Sequence, residues 1–136
     1  MTRHFSRRVI VAAVALMLAG AGMLREATAE PAQTVHLIVD YGDGTMKAIN
    51  DLPWKQGQTV LDMMNAAKAR PRGISFEVRG AGASAVLIKI DDLASEGAGK
   101  KNWQFWVNAA YGNRSFSVYE LQPQDTVLWR FTDQTQ

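Results

Sequence analysis

The chain has 136 residues, of which 47% are hydrophobic, and its 15 basic and 13 acidic residues give a formal net charge of +2. This length is typical of a single globular domain, and so balanced a charge does not favour a nucleic-acid partner. The chain has no cysteine, which excludes disulfides, thiol catalysis and zinc sites built on cysteine.

The first 29 residues have the three parts of a secretory signal peptide. Basic residues come first, an apolar run covers residues 9–24, and Ala27-Thr28-Ala29 fits a small-residue cleavage site. The alternative is a retained membrane anchor, but the run is shorter than the roughly 20 residues that cross a bilayer. The sequence therefore predicts a signal peptide over 1–29, a mature domain over 30–136, and a periplasmic or secreted location after cleavage near Ala29.

The basic character of the chain belongs to this predicted leader. It holds four of the 15 basic residues and one of the 13 acidic residues. The predicted mature domain therefore has 11 basic and 12 acidic residues, a net charge of −1. The prediction is a protein that meets the membrane only during export and binds no nucleic acid.

The mature domain begins with a predicted β-hairpin. Residues 34–41 alternate, with Val35, Leu37 and Val39 on one face. Gly42-Asp43-Gly44 predicts a tight turn into a return strand over 45–49, because glycine adopts positive φ without steric cost. A loop is expected over residues 50–58, with Trp54 as a lid on the edge of the core.

One convincing helix follows, over residues 59–70. Thr59 is a good N-cap, and Asp62 suits the positive end of the helix dipole. Apolar residues recur at helical spacing and predict a buried face made of Val60, Met63, Met64 and Ala67. Pro71 ends the helix because the residue before a proline disfavours helical geometry.

The remaining chain is rich in strands. Alternation predicts strands over 74–79, 86–90, 103–108 and 126–132, with a glycine-containing connection at 80–84, a loop at 94–101 and a turn at 122–125. The predicted fold class is therefore α+β: a β-grasp-like mixed sheet of about five to six strands with one helix across it.

The strand over 103–108 carries the predicted binding surface. Trp103, Phe105 and Val107 share the face expected in the core, and Gln104, Trp106 and Asn108 share the other face. A sheet covered by one helix has its second face open, so Trp106 is a plausible platform for a planar ligand or a partner protein. The alternative is that Trp106 packs under the loop around residues 111–116. Arg114 and Arg130 near this surface serve an anionic group or keep the sheet soluble.

Four motifs, in this order, resemble the transcobalamin-like C-terminal domain family, which also occurs as a stand-alone domain of unknown function in secreted bacterial proteins. The motifs are Thr59-Val60-Leu61-Asp62, the segment 87–93, Trp103-Gln104-Phe105-Trp106-Val107-Asn108, and Tyr119-Glu120-Leu121 followed by 123–131. The chain departs from the family at three turn positions, where Ala109, Gln124 and a residue near Ser115 replace glycine.

This resemblance implies a β-grasp fold and a binding role. In transcobalamin the domain covers one face of cobalamin, together with a helical barrel domain; this sequence predicts only the first of the two. We therefore expect an exported, non-catalytic domain that binds cobalamin, another corrinoid or a similar small ligand. The alternative is an extracellular protein-interaction or accessory module without a small ligand.

The candidate ligand-binding residues are aromatic or carry amides: Trp103, Gln104, Trp106, Asn108, Tyr111 and Tyr119. We expect no catalytic residues and no metal site. His36 is the only histidine after the leader and shares a polar face with Thr34 and Asp40. Asp91 and Asp92 are adjacent, so in a strand they face opposite ways and do not form an acid–base pair.

Overall fold

The computed structural model describes residues 32–134, so the predicted signal peptide lies outside the described residues. The elements form two sheets and one α-helix; in chain order they are β1 (Thr34–Asp40), β2 (Met46–Pro53), α1 (Val60–Lys68), β3 (Phe76–Arg79), a 3-10 turn (Gly82–Ser84), β4 (Val86–Ile90), β5 (Leu93–Ala94), β6 (Asn102–Val107), β7 (Ala110–Tyr111) and β8 (Thr126–Thr132). In this part of the chain, no helix is both long and apolar enough to cross a membrane.

The larger sheet has five strands in the order β2-β1-β8-β6-β7. Its neighbours are antiparallel except for β1 and β8, which run parallel from His36 opposite Thr126 to Asp40 opposite Arg130. The first and last described strands therefore lie side by side near the middle of the sheet. This is the β-grasp arrangement, and it confirms the predicted α+β fold with a mixed sheet and one α-helix.

One face of the larger sheet forms the floor of the core. Every second residue of three strands lies there and is at most 8% exposed: Val35, Leu37 and Val39 from β1, Trp103, Phe105 and Val107 from β6, and Val127, Trp129 and Phe131 from β8. The predicted faces of these strands are confirmed. Each such side chain stabilises the fold by roughly 1.5–3 kcal/mol relative to exposure.

The helix α1 covers β1 and β2 on this face. Its four predicted core residues are all completely buried. Thr59 Oγ1 accepts a hydrogen bond from Asp62 N at 3.2 Å, and the Asp62 carboxylate accepts one from Thr59 N at 2.9 Å. This capping box satisfies backbone donors that the first helical turn leaves free. The helix ends at Lys68, two residues before the predicted end.

The three-stranded sheet β3-β4-β5 packs on the same core. Glu77 pairs with Lys89 but Val78 pairs with Leu87, so Ile88 is an extra residue in β4. Leu87 and Ile90 are three positions apart, so they would face opposite ways in a regular strand. The β-bulge lets both side chains enter the core. Simple alternation in 86–90 did not predict this, and a second sheet was not expected.

The return strand β2 is longer than predicted and takes in the first residues of the expected loop. It runs to Pro53, which is tolerated because β2 is an edge strand. Val35 pairs with Leu52 but Leu37 pairs with Ile49, so β2 contains one extra residue at this point. There, Asp51 N donates to His36 Nδ1 at 3.3 Å. Trp54 packs on the core edge as expected and donates from Nε1 to the Leu121 carbonyl at 2.8 Å.

A carboxylate links the two sheets. Asp91, directly after β4, accepts hydrogen bonds from the Tyr41 hydroxyl at 2.5 Å and from Lys47 Nζ at 3.2 Å, and Ser75 N donates to its other oxygen at 2.9 Å. Burial opposes ionisation of Asp91, but the hydrogen bonds from Ser75, Tyr41 and Lys47 outweigh it and lower the pKa of Asp91. Burial and the bond to Asp91 raise the pKa of Tyr41.

Two turns at one end of the larger sheet are strained. Ala109 has φ 68° and Gln124 has φ 69°, at the two positions where the transcobalamin-like pattern has glycine. Left-handed geometry costs a residue with a side chain roughly 1–2 kcal/mol. Asn108 ties the two turns together, since its Nδ2 donates to Asp125 Oδ1 at 2.7 Å and its Oδ1 accepts from Thr126 N at 2.9 Å.

The strained turn at Gln124 yields a stability prediction. Gln124→Gly should raise the free energy of unfolding by about 0.5–1 kcal/mol, because relief of the left-handed strain exceeds the added entropy of the unfolded chain. Urea denaturation measures this. Gln122→Gly is the matched control, since Gln122 lies in the same turn without positive φ and should gain nothing. Equal effects of the two substitutions would contradict the strain.

The carboxylate link predicts acid sensitivity. Asp91→Asn should lower the free energy of unfolding at pH 7 by about 1–2 kcal/mol, the low range for charged hydrogen bonds, because Lys47 is partly exposed. The folded-state pKa lies below the unfolded value, so this stabilisation is complete above about pH 4 and is lost as the pH falls through the folded pKa. The difference in free energy of unfolding between the wild type and Asp91→Asn should therefore become smaller at acidic pH.

Asp92→Asn is the control for this measurement. Asp92 is exposed and, among the described residues, makes no ion pair. An Asp91→Asn protein as stable as Asp92→Asn at every pH would show that the link contributes nothing.

Candidate functional site

The face of the larger sheet opposite the core is left to solvent by residues 32–134, and an apolar row crosses it. Ile38 on β1 lies opposite Leu128 on β8, Leu128 lies opposite Trp106 on β6, and Trp106 lies opposite Tyr111 on β7. We call these four side chains the apolar row. Strand spacing makes it about 14 Å long. The row members are half-buried or exposed, so they are available to a ligand or partner.

Polar residues flank the apolar row on both sides. On one side, Asp40, Arg130 and Gln104 form a parallel row across the same strands, and Arg130 Nε lies 3.1 Å from Asp40 Oδ2. On the other side, His36 lies opposite Thr126. The open face therefore combines an apolar centre with charged and hydroxyl-bearing margins.

Trp106 is the centre of the row and is held on two sides. The Tyr111 ring meets it edge to face with ring centroids 5.5 Å apart, and the Arg130 guanidinium lies 5.5 Å from its ring centroid. Such contacts orient an indole without covering it entirely, and Trp106 remains half-buried. Part of the expected alternative is also present, because Tyr111 packs against Trp106. Phe116 from the same segment lies instead in the core.

Beside this row, the side-chain amide of Gln104 forms a hydrogen bond through its nitrogen but not through its oxygen. Its Nε2 donates to the Thr132 carbonyl at 3.2 Å, whereas its buried Oε1 has no hydrogen-bond partner among the described residues. A buried acceptor without a partner is uncommon in a folded protein. A ligand with an N–H or O–H group on this face would satisfy it.

The structure divides the six sequence-predicted site residues between two sides of the sheet. Gln104, Trp106, Asn108 and Tyr111 lie together on or beside the open face. Trp103 lies in the core, 6% exposed, and its Nε1 donates to the Leu93 carbonyl at 2.8 Å. Tyr119 packs edge-on against Phe105 on the core side, with centroids 5.7 Å apart.

Two members of the apolar row were not among the predicted site residues. Alternation placed Ile38 and Leu128 on the polar faces of their strands, a signal that they point away from the core. Only the strand pairing shows that Ile38 is a neighbour of Leu128, across β1 and β8, and that Leu128 is a neighbour of Trp106, across β8 and β6.

One cleft of the described residues reaches the open face at Tyr111 and Gln104, but Trp106 itself lies in a flat surface. The largest of the five best-formed clefts has a volume of about 680 Å³ and is lined by Tyr41, Lys47 and Asp91, whose polar groups bond to one another. None of the five best-formed clefts in residues 32–134 has Trp106 in its wall. In the same residues, no group of three or more potential metal ligands converges.

No family model matches this sequence, and no curated protein matches it significantly. The fold is similar to that of haptocorrin in complex with Cbi, with a TM-score of 0.65 and 13% identity over 76% of this chain and 26% of haptocorrin. This chain thus spans about a quarter of haptocorrin.

The fold is also similar to that of a protein from Ruminococcus gnavus ATCC 29149 whose assignment as a metal-binding protein is provisional. The TM-score is 0.59, with 9% identity over 74% of this chain and 96% of that one. At these identities both likenesses establish the fold alone. Haptocorrin belongs to the transcobalamin family, so the fold expected from the sequence resemblance is confirmed, whereas membership of a sequence family is not.

Proposed function

We propose that this protein is an exported, non-catalytic binding domain whose ligand is a corrinoid or a similar planar molecule held on the apolar row. The observation that carries the proposal is the row itself. Four apolar side chains stand in register across four strands, between polar residues on β1, β6 and β8 of the same face. Such a row in water is unfavourable unless something covers it.

The chemistry of the face suits a flat ring with polar substituents. The Trp106 indole and the Leu128 side chain offer an apolar floor, and Tyr111 limits the floor at the β7 edge. The free Oε1 of Gln104 matches an amide N–H donor at the rim of the ring, such as the carboxamide arms that corrinoids carry. The similarity of the fold to haptocorrin in complex with Cbi supports this ligand class.

A second candidate function is a contact with another protein. The observation that favours it is the flatness of the site, because none of the best-formed clefts in the described residues includes Trp106. Small-molecule sites are usually concave, whereas protein interfaces are often flat with an aromatic anchor. Under this function, Trp106 is the anchor and small ligands do not bind.

Calorimetric titration of the protein with cobinamide and with cobalamin separates the two candidates. We expect saturable heat for a corrinoid, and at least about tenfold weaker binding by Trp106→Ala because the stacking floor is removed. Val118→Ala is the matched control: it also truncates an exposed apolar side chain, but outside the row, and should bind as the wild type does.

Absence of heat with either ligand up to millimolar concentration, from a protein with an unchanged circular dichroism spectrum, would overturn the corrinoid proposal. The row would then be assigned to a protein contact. Equal affinities of Trp106→Ala and wild type would place corrinoid binding away from the row.

A further inference from the structure

A second cleft lies between the smaller sheet and the outer edge of β6. It has a volume of about 300 Å³, and its wall includes Leu87 from β4, Phe105 from β6 and Phe116 from the segment after β7. No strand pairing joins β4 to β6, so the cleft lies at the boundary between the two sheets. Ser115 Oγ closes one side by donating to the Ala85 carbonyl at 2.6 Å.

Trp129 lines this cleft with an unused hydrogen-bond donor. The residue is only 2% exposed, and its indole Nε1 has no partner among the described residues. The indoles of Trp54 and Trp103, by contrast, each donate to a backbone carbonyl at 2.8 Å. Buried donors are nearly always paired, so the exception at the wall of a cleft points to a ligand that supplies the acceptor.

The charge of the cleft wall indicates the kind of acceptor. Fourteen residues line the cleft, and Arg114 is the only charged one. It is exposed, and its guanidinium lies over the Tyr119 ring, 5.7 Å from the centroid, with no carboxylate within ion-pair distance among the described residues. The other walls are mainly apolar or aromatic. An apolar cavity with one buried donor and one positive charge is complementary to a small organic anion.

We propose that this cleft binds a compact monocarboxylate with an apolar body, whose carboxylate accepts the hydrogen bond of Trp129 Nε1. Arg114 attracts the anion, and the ring or chain of the ligand packs on Phe116 and Leu87. Trp129 points to the core face of the larger sheet and Trp106 to the opposite face. Tyr111 and Gln104 line this cleft as well as the open face, so the two sites adjoin. Variants at Trp129 and at Trp106 test the two sites separately, because these indoles lie on opposite faces of the sheet.

Titration of the ¹⁵N-labelled protein with benzoate, followed in ¹H–¹⁵N correlation spectra, tests the cleft. The four tryptophans give four indole N–H signals, which single Trp→Phe variants assign. We expect the Trp129 signal to move downfield saturably as its proton gains an anionic acceptor, while the Trp54 signal stays in place. Benzamide, the uncharged analogue, should bind about tenfold more weakly.

Trp129→Phe keeps an aromatic ring and removes the donor, so it should weaken benzoate binding about tenfold. Trp54→Phe is its matched control, because Trp54 lies outside the cleft wall, and should bind benzoate as the wild type does. If Trp129→Phe does not fold, Arg114→Gln is the alternative test variant, because Arg114 is exposed. We expect this variant to bind benzoate more weakly, with an affinity that no longer depends on salt concentration.

An unmoved Trp129 signal at millimolar benzoate would overturn the proposal. So would a folded Trp129→Phe protein that binds benzoate as tightly as the wild type. Movement of the Trp106 signal alone would also overturn it, by placing the anion on the open face. The corrinoid titration is read separately, through Trp106→Ala.

Discussion

The parallel pairing of β1 with β8 is the constraint on which the rest of the structure depends. It joins strands from the two ends of the described chain, so the hairpin β1–β2 and the hairpin β6–β7 become parts of one sheet. Because side chains alternate along each strand, the same register that sends Val127, Trp129 and Phe131 into the core also brings Leu128 beside Ile38 on the other face. The core and the apolar row are therefore set by one pairing.

The described residues cover one face of this sheet and leave the other face to solvent. The helix and the three-stranded sheet both pack on the core face, and the Asp91 carboxylate fastens the smaller sheet to the β1–β2 turn. The described residues contain no comparable cover for the opposite face, although four apolar side chains cross it. Packing explains the first face completely. The proposed function rests on this row of exposed and half-buried apolar side chains.

Several of the places where the described residues depart from local conformational and hydrogen-bonding rules lie along β6 and β8. Ala109 and Gln124 occupy turns that favour glycine, the Gln104 carbonyl oxygen lacks a donor, and the Trp129 indole lacks an acceptor. In folded proteins such departures concentrate at strained or functional positions, because the surrounding structure must compensate for them. Here the turns are strained, and the two residues with unpaired groups, Gln104 and Trp129, both line the cleft of about 300 Å³ beside β6.

Local patterns in the sequence determined the capped helix, most strand positions and the face of each central strand, because alternation and helical spacing act between residues close in the chain. They also put Gln104 and Trp106 on the face away from Trp103. Only the tertiary structure decided which strands are neighbours, that Ile38 and Leu128 complete the row, and that Ile88 forms a bulge that turns Leu87 inward. Strand order, register and the gap between the two sheets arise from contacts between residues distant in sequence, and no local pattern encodes those.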